Sequence, residues 1–300
     1  MTLVSIALVS FHLLPVVSAV WLWGTGNRSR IEWVVKSAFV WVGSLFLYLA
    51  GSWALVGYPF RYAIIICTGV ATLLSWQKTQ RLPVTPSGGW RQWTSLGSLA
   101  ATVFGITVLL MLAWRGRQPD RVGVDLLFPL QHGTYFIGQG GSSRVVNVHR
   151  AVRLQQYALD IDKLNRFGMS AVGLLPAELS KYAIFGDSVV SPCDGEVVAA
   201  ADGLPDLSPP GTDRKNTRGN YIVLRCISLN VEVLLAHLQK GSVQCRIGEA
   251  IARGQQIARV GNSGNTSQPH LHLQASRNGE GVPMTFGGRF LVRNDLVRRE

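Results

Sequence analysis

The sequence predicts two unlike halves: a helical transmembrane region over residues 1–115, and after it an all-β domain built on an antiparallel sheet. Three observations predict this. Long apolar runs fill residues 1–115, where Glu32 is the lone acidic residue. The remaining Asp and Glu fall in residues 116–300, mixed with Gly, Pro and Arg as in a water-exposed domain. There the apolar residues come in short runs separated by Gly, Asn and Pro, which is the pattern of strands and turns.

A membrane span needs roughly 18 or more consecutive apolar residues. Residues 3–23, 37–57 and 95–114 meet that length, and Tyr62–Trp76 is a shorter fourth candidate, so three to four transmembrane helices are expected. Trp21, Trp23, Trp76, Trp90, Trp93 and Trp114 cluster at segment ends, where indole rings anchor helices at the lipid interface. Residues 3–23 read as a retained helix and not as a cleaved leader, because no basic residue precedes them and the small-residue cleavage pattern is poor. The middles of the spans hold no Asp, Glu, Lys or Arg, so they read as an anchor and not as a transport path. With four spans, the distribution of Lys and Arg leans slightly toward both termini outside, which makes the second half extracytoplasmic.

The net charge of +12 raises the question of nucleic acid. Eight basic residues set against Glu32 lie in residues 1–115, so more than half the excess flanks apolar segments. Headgroup anchoring accounts for it, and no nucleic-acid partner is expected. Cys193, Cys226 and Cys245 lack CxxC spacing, which argues against a cysteine metal site. They allow one disulfide, for which Cys226–Cys245 is the expected pairing.

After a linker at 116–129, strands are expected at Val145–Val148, Tyr157–Ile161, Gly195–Ala200, Tyr221–Ile227, Val231–His237, Gln256–Val260 and His270–Ala275. Asp194-Gly195 and Gly261-Asn262 mark turns, and Asp206–Arg218, with its Pro209-Pro210, reads as a surface loop. Chemistry concentrates in three places. His270 and His272 sit two apart on a strand and so share a face. Imidazole is the commonest zinc ligand, although a bare HxH is more often structural. His237 ends an apolar strand, where a lone histidine is likewise more often structural. Asp160 interrupts an apolar run, where a carboxylate is costly unless paired or bound to metal. Asp162 shares its face and reads as solvated or capping.

These places form a linked series. AIFGDSVVSPCDG (Ala183–Gly195), GNYIVLRC, LAHLQKGSV, GEAIARGQQIARVGNSGN and QPHLHLQ follow in an order and spacing that resembles the lysostaphin/LytM-like peptidase M23 family. The resemblance covers residues 130–285, leaving 286–300 as a tail. It implies an M23/LytM-like antiparallel sheet fold and a zinc metalloendopeptidase acting on peptidoglycan peptides. Asp160 and His272 would be Zn2+ ligands, and His237 and His270 would be the catalytic histidines that handle protons and the oxyanion.

One position departs from the family. The first ligand is normally a histidine four residues before the aspartate, and here that residue is Gln156. His149 is the candidate third metal ligand, its alternative being a surface histidine beside Arg150, and His132 is a more remote candidate. Without either, the chain reads as a metal-free domain that binds cell wall or regulates another hydrolase. A carrier-domain reading of the segment after Lys240 is weaker, because that lysine lacks the hairpin tip such domains use.

Overall fold

The computed structural model describes residues 3–300, which divide into two compact units at the Trp114/Arg115 boundary. The first unit is helical. Its elements are α1 (Leu3–Gly24), α2 (Arg30–Ala50), the single turn α3 (Trp53–Val56), α4 (Phe60–Thr79) and α5 (Trp90–Arg115). Ser29 caps α2 by accepting the Glu32 N–H, and Glu32 in turn accepts the Arg28 N–H. This is a capping-box variant that pairs otherwise orphaned donors. Between α2 and α4, Ser44 bonds Thr68 at 2.9 Å, and the indole N–H groups of Trp33 and Trp41 donate to Ser75 and Thr72. Small and hydroxylated residues at a helix seam are what packing inside a bilayer favours. The helices α2 and α5 are long and apolar enough to cross a membrane. The helix α4 has the length but falls short in hydropathy, and α1, 22 residues long, has the length. Among the described residues α2 and α5 thus meet both criteria.

The second unit is the antiparallel β domain. Its strands are β1 (Val124–Asp125), β2 (Gly133–Gln139), β3 (Leu159–Leu164), β4 (Ser188–Val190), β5 (Gly195–Ala201), β6 (Asn220–Cys226) and β7 (Val231–Leu238). They continue as β8 (Ala250–Ile251), β9 (Gln256–Arg259), β10 (Leu271–Arg277), β11 (Glu280–Val282), β12 (Met284–Phe286), β13 (Arg289–Phe290) and β14 (Leu296–Arg299). The main sheet runs β14-β2-β3-β10-β7-β6-β5-β8, with β11 paired to β10. Side pairs β4-β9 and β1-β12-β13 flank it, and only β1-β12 is parallel.

Alternation along the central strands explains their placement. Leu159 and Ile161 on β3, Leu271 and Leu273 on β10, and Leu235 on β7 point into one apolar core. The residues between them, Asp160, Asp162, His272 and Gln274, turn to the opposite face. A one-residue slip would exchange the two sets, so burial of the leucines fixes where the polar groups look.

Two expectations are corrected here. The disulfide joins Cys193 to Cys226, and Cys245 is a buried free thiol. The β5/β6 hairpin places Glu196 opposite Arg225, so the residues just outside that pair, Cys193 and Cys226, come within reach at a Cα separation of 5.8 Å. Val145–Val148 is not a strand. Buried Asn147 accepts the His149 N–H and donates to the carbonyls of Gly141 and Ala158, diverting the chain from sheet pairing into 3-10 turns at Val148–Ala151 and Arg153–Gln155.

Candidate active site

Strand order brings the polar residues together. β10 lies between β3 and β7, and His272 is directly opposite Asp160 on one side and Ala236 on the other. Asp160 is the hub. Its Oδ1 is 2.9 Å from His272 Nδ1 and 3.6 Å from His270 Nε2, and its Oδ2 is 2.9 Å from His149 Nε2. Burial pushes the Asp160 carboxyl upward, but the charges of His270 and His149 and the bonds from His149 and His272 overcome this and hold it well below the usual range. For His149, burial works against protonation, and the Asp160 carboxylate outweighs it and raises the pKa.

His149 stands beside Asp160 and His272. It comes from the Val148–Ala151 turn, and its ring centroid lies 4.8 Å from that of His272. Gln156 is committed elsewhere: its side-chain oxygen accepts from Arg150 at 2.9 Å and its amide donates to the Gly281 carbonyl at 3.1 Å. His132 is exposed, its carbonyl accepting the Tyr135 hydroxyl, and lies outside the cluster.

The donor set fits a metal ion. One nitrogen or oxygen each from His149, Asp160 and His272 lie within 4.8 Å of one another. Two ligands about 2.0–2.2 Å from one tetrahedral ion stand roughly 3.4 Å apart, so small outward shifts from the 2.9 Å contacts accommodate one. The Nε2–H of His272 donates to Gln274 Oε1 at 3.1 Å, which leaves Nδ1 facing Asp160. A second partner of this kind fixes the tautomer of a metal-binding imidazole.

The other two histidines are held differently. His237 Nδ1–H donates to the Ser263 carbonyl at 2.9 Å, and His270 Nδ1–H to the Gln268 carbonyl at 2.8 Å. Each therefore presents Nε2 to the site, and their ring centroids are 4.8 Å apart. His237 is the extra residue of a bulge between β6 and β7, with φ +62°. That left-handed backbone costs a non-glycine residue on the order of 1–3 kcal/mol. The His237 N–H bond to Arg218 and the Gly261 N–H bond to its carbonyl hold it there. Gly219 makes room for the Ser263 carbonyl, since a Cβ at 219 would lie 2.2 Å from that oxygen. Burial, then the neighbouring His270 and His272 charges, push the His237 pKa down to about 3, so it is a neutral base.

Asp162 is buried and not solvated. It accepts from Gln268 Nε2 at 3.1 Å, and burial pushes its pKa up to about 7. Sequence reasoning passed over Gln274, Gln268 and Ser263. Gln274 was findable, being two residues beyond His272 on the same strand face, whereas Ser263 acts through its backbone and carries no side-chain signal.

Residues 181–284 match the model of peptidase family M23. The chain carries a peptidase M23 domain. Over 94 residues it is 32% identical to the peptidoglycan DD-endopeptidase ShyC of Vibrio cholerae, spanning 31% of this chain and 20% of that protein. Over 103 residues it is 31% identical to an uncharacterized metalloprotease of Haemophilus influenzae, spanning 32% of this chain and 21% of the other. The chain thus matches about a fifth of the length of these curated relatives. Among solved structures it is similar to the catalytic domain of lysostaphin from Staphylococcus simulans, with 18% identity over 50% of this chain and 86% of that one, at a TM-score of 0.29. A zinc-containing peptidase from Vibrio cholerae is similar over 42% of this chain and 48% of that one, with 20% identity and a TM-score of 0.27. TM-scores this low assign no residue. The M23 match begins beyond His149 and Asp160, so the M23 domain receives two of its three candidate metal donors from the segment that precedes the match.

Proposed function

We propose that this chain is a membrane-anchored zinc metalloendopeptidase that cleaves peptide bonds of peptidoglycan. The observation that carries the reading is the meeting of three metal donors, His149, Asp160 and His272, with two further histidines that present Nε2 to the same place. The M23 domain and the similarity to a peptidoglycan endopeptidase supply the substrate class.

His149, Asp160 and His272 would hold the zinc, which would supply Lewis-acid polarisation of the scissile carbonyl and of a water molecule. His237, kept neutral by burial and held through Nδ1–H by the Ser263 carbonyl, presents an unprotonated Nε2 that accepts a hydrogen bond from the attacking water and orients it. His270, fixed through Nδ1 by the Gln268 carbonyl, turns Nε2 toward the site beside Asp160, where the oxyanion and the leaving amine would develop. Gln274, accepting the His272 Nε2–H, orients that ring so that Nδ1 faces Asp160. The metal-free regulatory reading rested on Gln156, and with His149 beside Asp160 a third donor is at hand without it.

The two helices able to cross a membrane support anchoring. An outward-facing domain meets its substrate, so residues 116–300 are placed on the extracytoplasmic side. One experiment tests activity and placement together. The purified full chain should release peptide fragments from isolated peptidoglycan, His272→Ala should not, and protease added to intact spheroplasts should remove the C-terminal domain. A chain that leaves peptidoglycan uncut in the presence of zinc, or a domain protected until lysis, contradicts the proposal.

A further inference from the structure

The segment that directly follows α5 is bonded to the turn that carries His149. Asp120 accepts from Arg150 Nη2 at 2.5 Å through Oδ2, and from the Tyr157 hydroxyl through Oδ1. Arg150 follows His149 in the same 3-10 turn, and Tyr157 stands two residues before β3. The guanidinium of Arg150 lies 4.8 Å from the Tyr157 ring and donates from Nη1 to Gln156 at 2.9 Å. One carboxylate therefore ties both ends of the 149–157 segment.

That tie matters because side chains, and not a sheet ladder, define the turn's place: Asn147 beneath it, Gln139 accepting the Val148 N–H, Arg153 bonded to Glu280, and Asp120 across its two ends. The turn pairs with no strand, and its internal bonds are of the short-range type, such as Val152 N–H to the His149 carbonyl at 2.9 Å. Asp160 and His272, by contrast, sit in the sheet register. A metal site demands its ligands within about 0.5 Å of the productive geometry. Gln156 joins the same network through Arg150 and Gly281. The residue that departs from the family pattern thus helps to hold the turn that supplies the replacement ligand.

We infer that Asp120, in the juxtamembrane segment, is a positioning residue for His149: it sets the 149–157 segment through Arg150 and Tyr157 and so makes metal affinity depend on the stretch joining the domain to its membrane helix. The inference rests on the metal-site reading above. An exposed ion pair contributes little to global stability, and Asp120 is half-exposed, so its effect is on geometry and not on folding.

The test uses the full chain in lipid nanodiscs, with zinc affinity measured by competition against a chromogenic chelator and amide exchange followed at Val152. Asp120→Ala should weaken zinc binding about 10-fold, the lower end for residues supporting a metal ligand, and should speed Val152 exchange while leaving the melting temperature nearly unchanged. Asp120→Asn, which keeps the shape, should show the same direction if the alanine variant proves unstable. Arg117→Ala, which removes a linker contact to Asp295, should change neither readout. Unchanged affinity and exchange in both Asp120 variants, or an equal loss in Arg117→Ala, would overturn the assignment. Failure of the unsubstituted chain to bind zinc would instead overturn the metal reading, and the exchange rates would still decide whether Asp120 holds the turn.

Discussion

The site is assembled from two kinds of support. Asp160 and His272 face each other across hydrogen-bonded neighbours in the middle of a nine-stranded sheet, with fully or nearly fully buried Leu159, Ile161, Leu271 and Leu273 locking their register. His149 stands on a 3-10 turn held by side chains: Asn147 beneath it, and Arg150 reaching to Asp120 and Gln156. Moving a strand residue means breaking a sheet, whereas moving the turn means breaking a few side-chain bonds. The same contrast separates the other two histidines, since His270 precedes a regular strand and His237 needs a bulge at positive φ to reach the site.

The largest expected effect separates chemistry from coordination. His270→Ala should keep zinc at the natural stoichiometry and lower peptidoglycan cleavage by about 10²–10⁴-fold, the usual worth of a positioned proton-transfer group. Metal loss in that variant would move His270 from proton handling into coordination. A smaller effect sharpens the turn side of the comparison. Asn147→Ala leaves two buried carbonyls and the His149 N–H without their partner. A buried polar group left unmatched costs roughly 1–3 kcal/mol. The melting temperature should therefore fall and zinc affinity weaken with it. An unchanged melting temperature in a chemical or thermal scan would mean that the turn does not depend on Asn147.

The strand-borne part of the site was legible in the sequence for a physical reason. Period-two alternation around Pro269-His270-Leu271-His272-Leu273 and Tyr157-Ala158-Leu159-Asp160-Ile161 places the polar residues on one face, and burial of the leucines enforces it. His149 was named as a candidate, but beside an expected strand at Val145–Val148 that does not form. The actual support is the Asn147 side chain, and a single asparagine does not announce from sequence which carbonyls it will satisfy. The disulfide was mispaired because three cysteines give no pairing information until the β5/β6 register sets Cys193 beside Cys226. Asp162 was read as solvated, since the burial that raises its pKa arises from strand neighbours and from Gln268, all distant in sequence. In the helical half, composition identified the apolar segments, and among the described residues α2 and α5 meet the spanning criterion while α4 falls short in hydropathy.

The central claim is that His149 replaces the histidine missing at Gln156. Zinc per chain, measured by mass spectrometry on the purified unsubstituted chain and on His149→Ala, His272→Ala and Gln156→Ala, tests it most directly. The account predicts one zinc in the unsubstituted chain and in Gln156→Ala, and near-complete loss in both His149→Ala and His272→Ala, because each of those leaves two protein ligands. Full zinc occupancy in His149→Ala would contradict it.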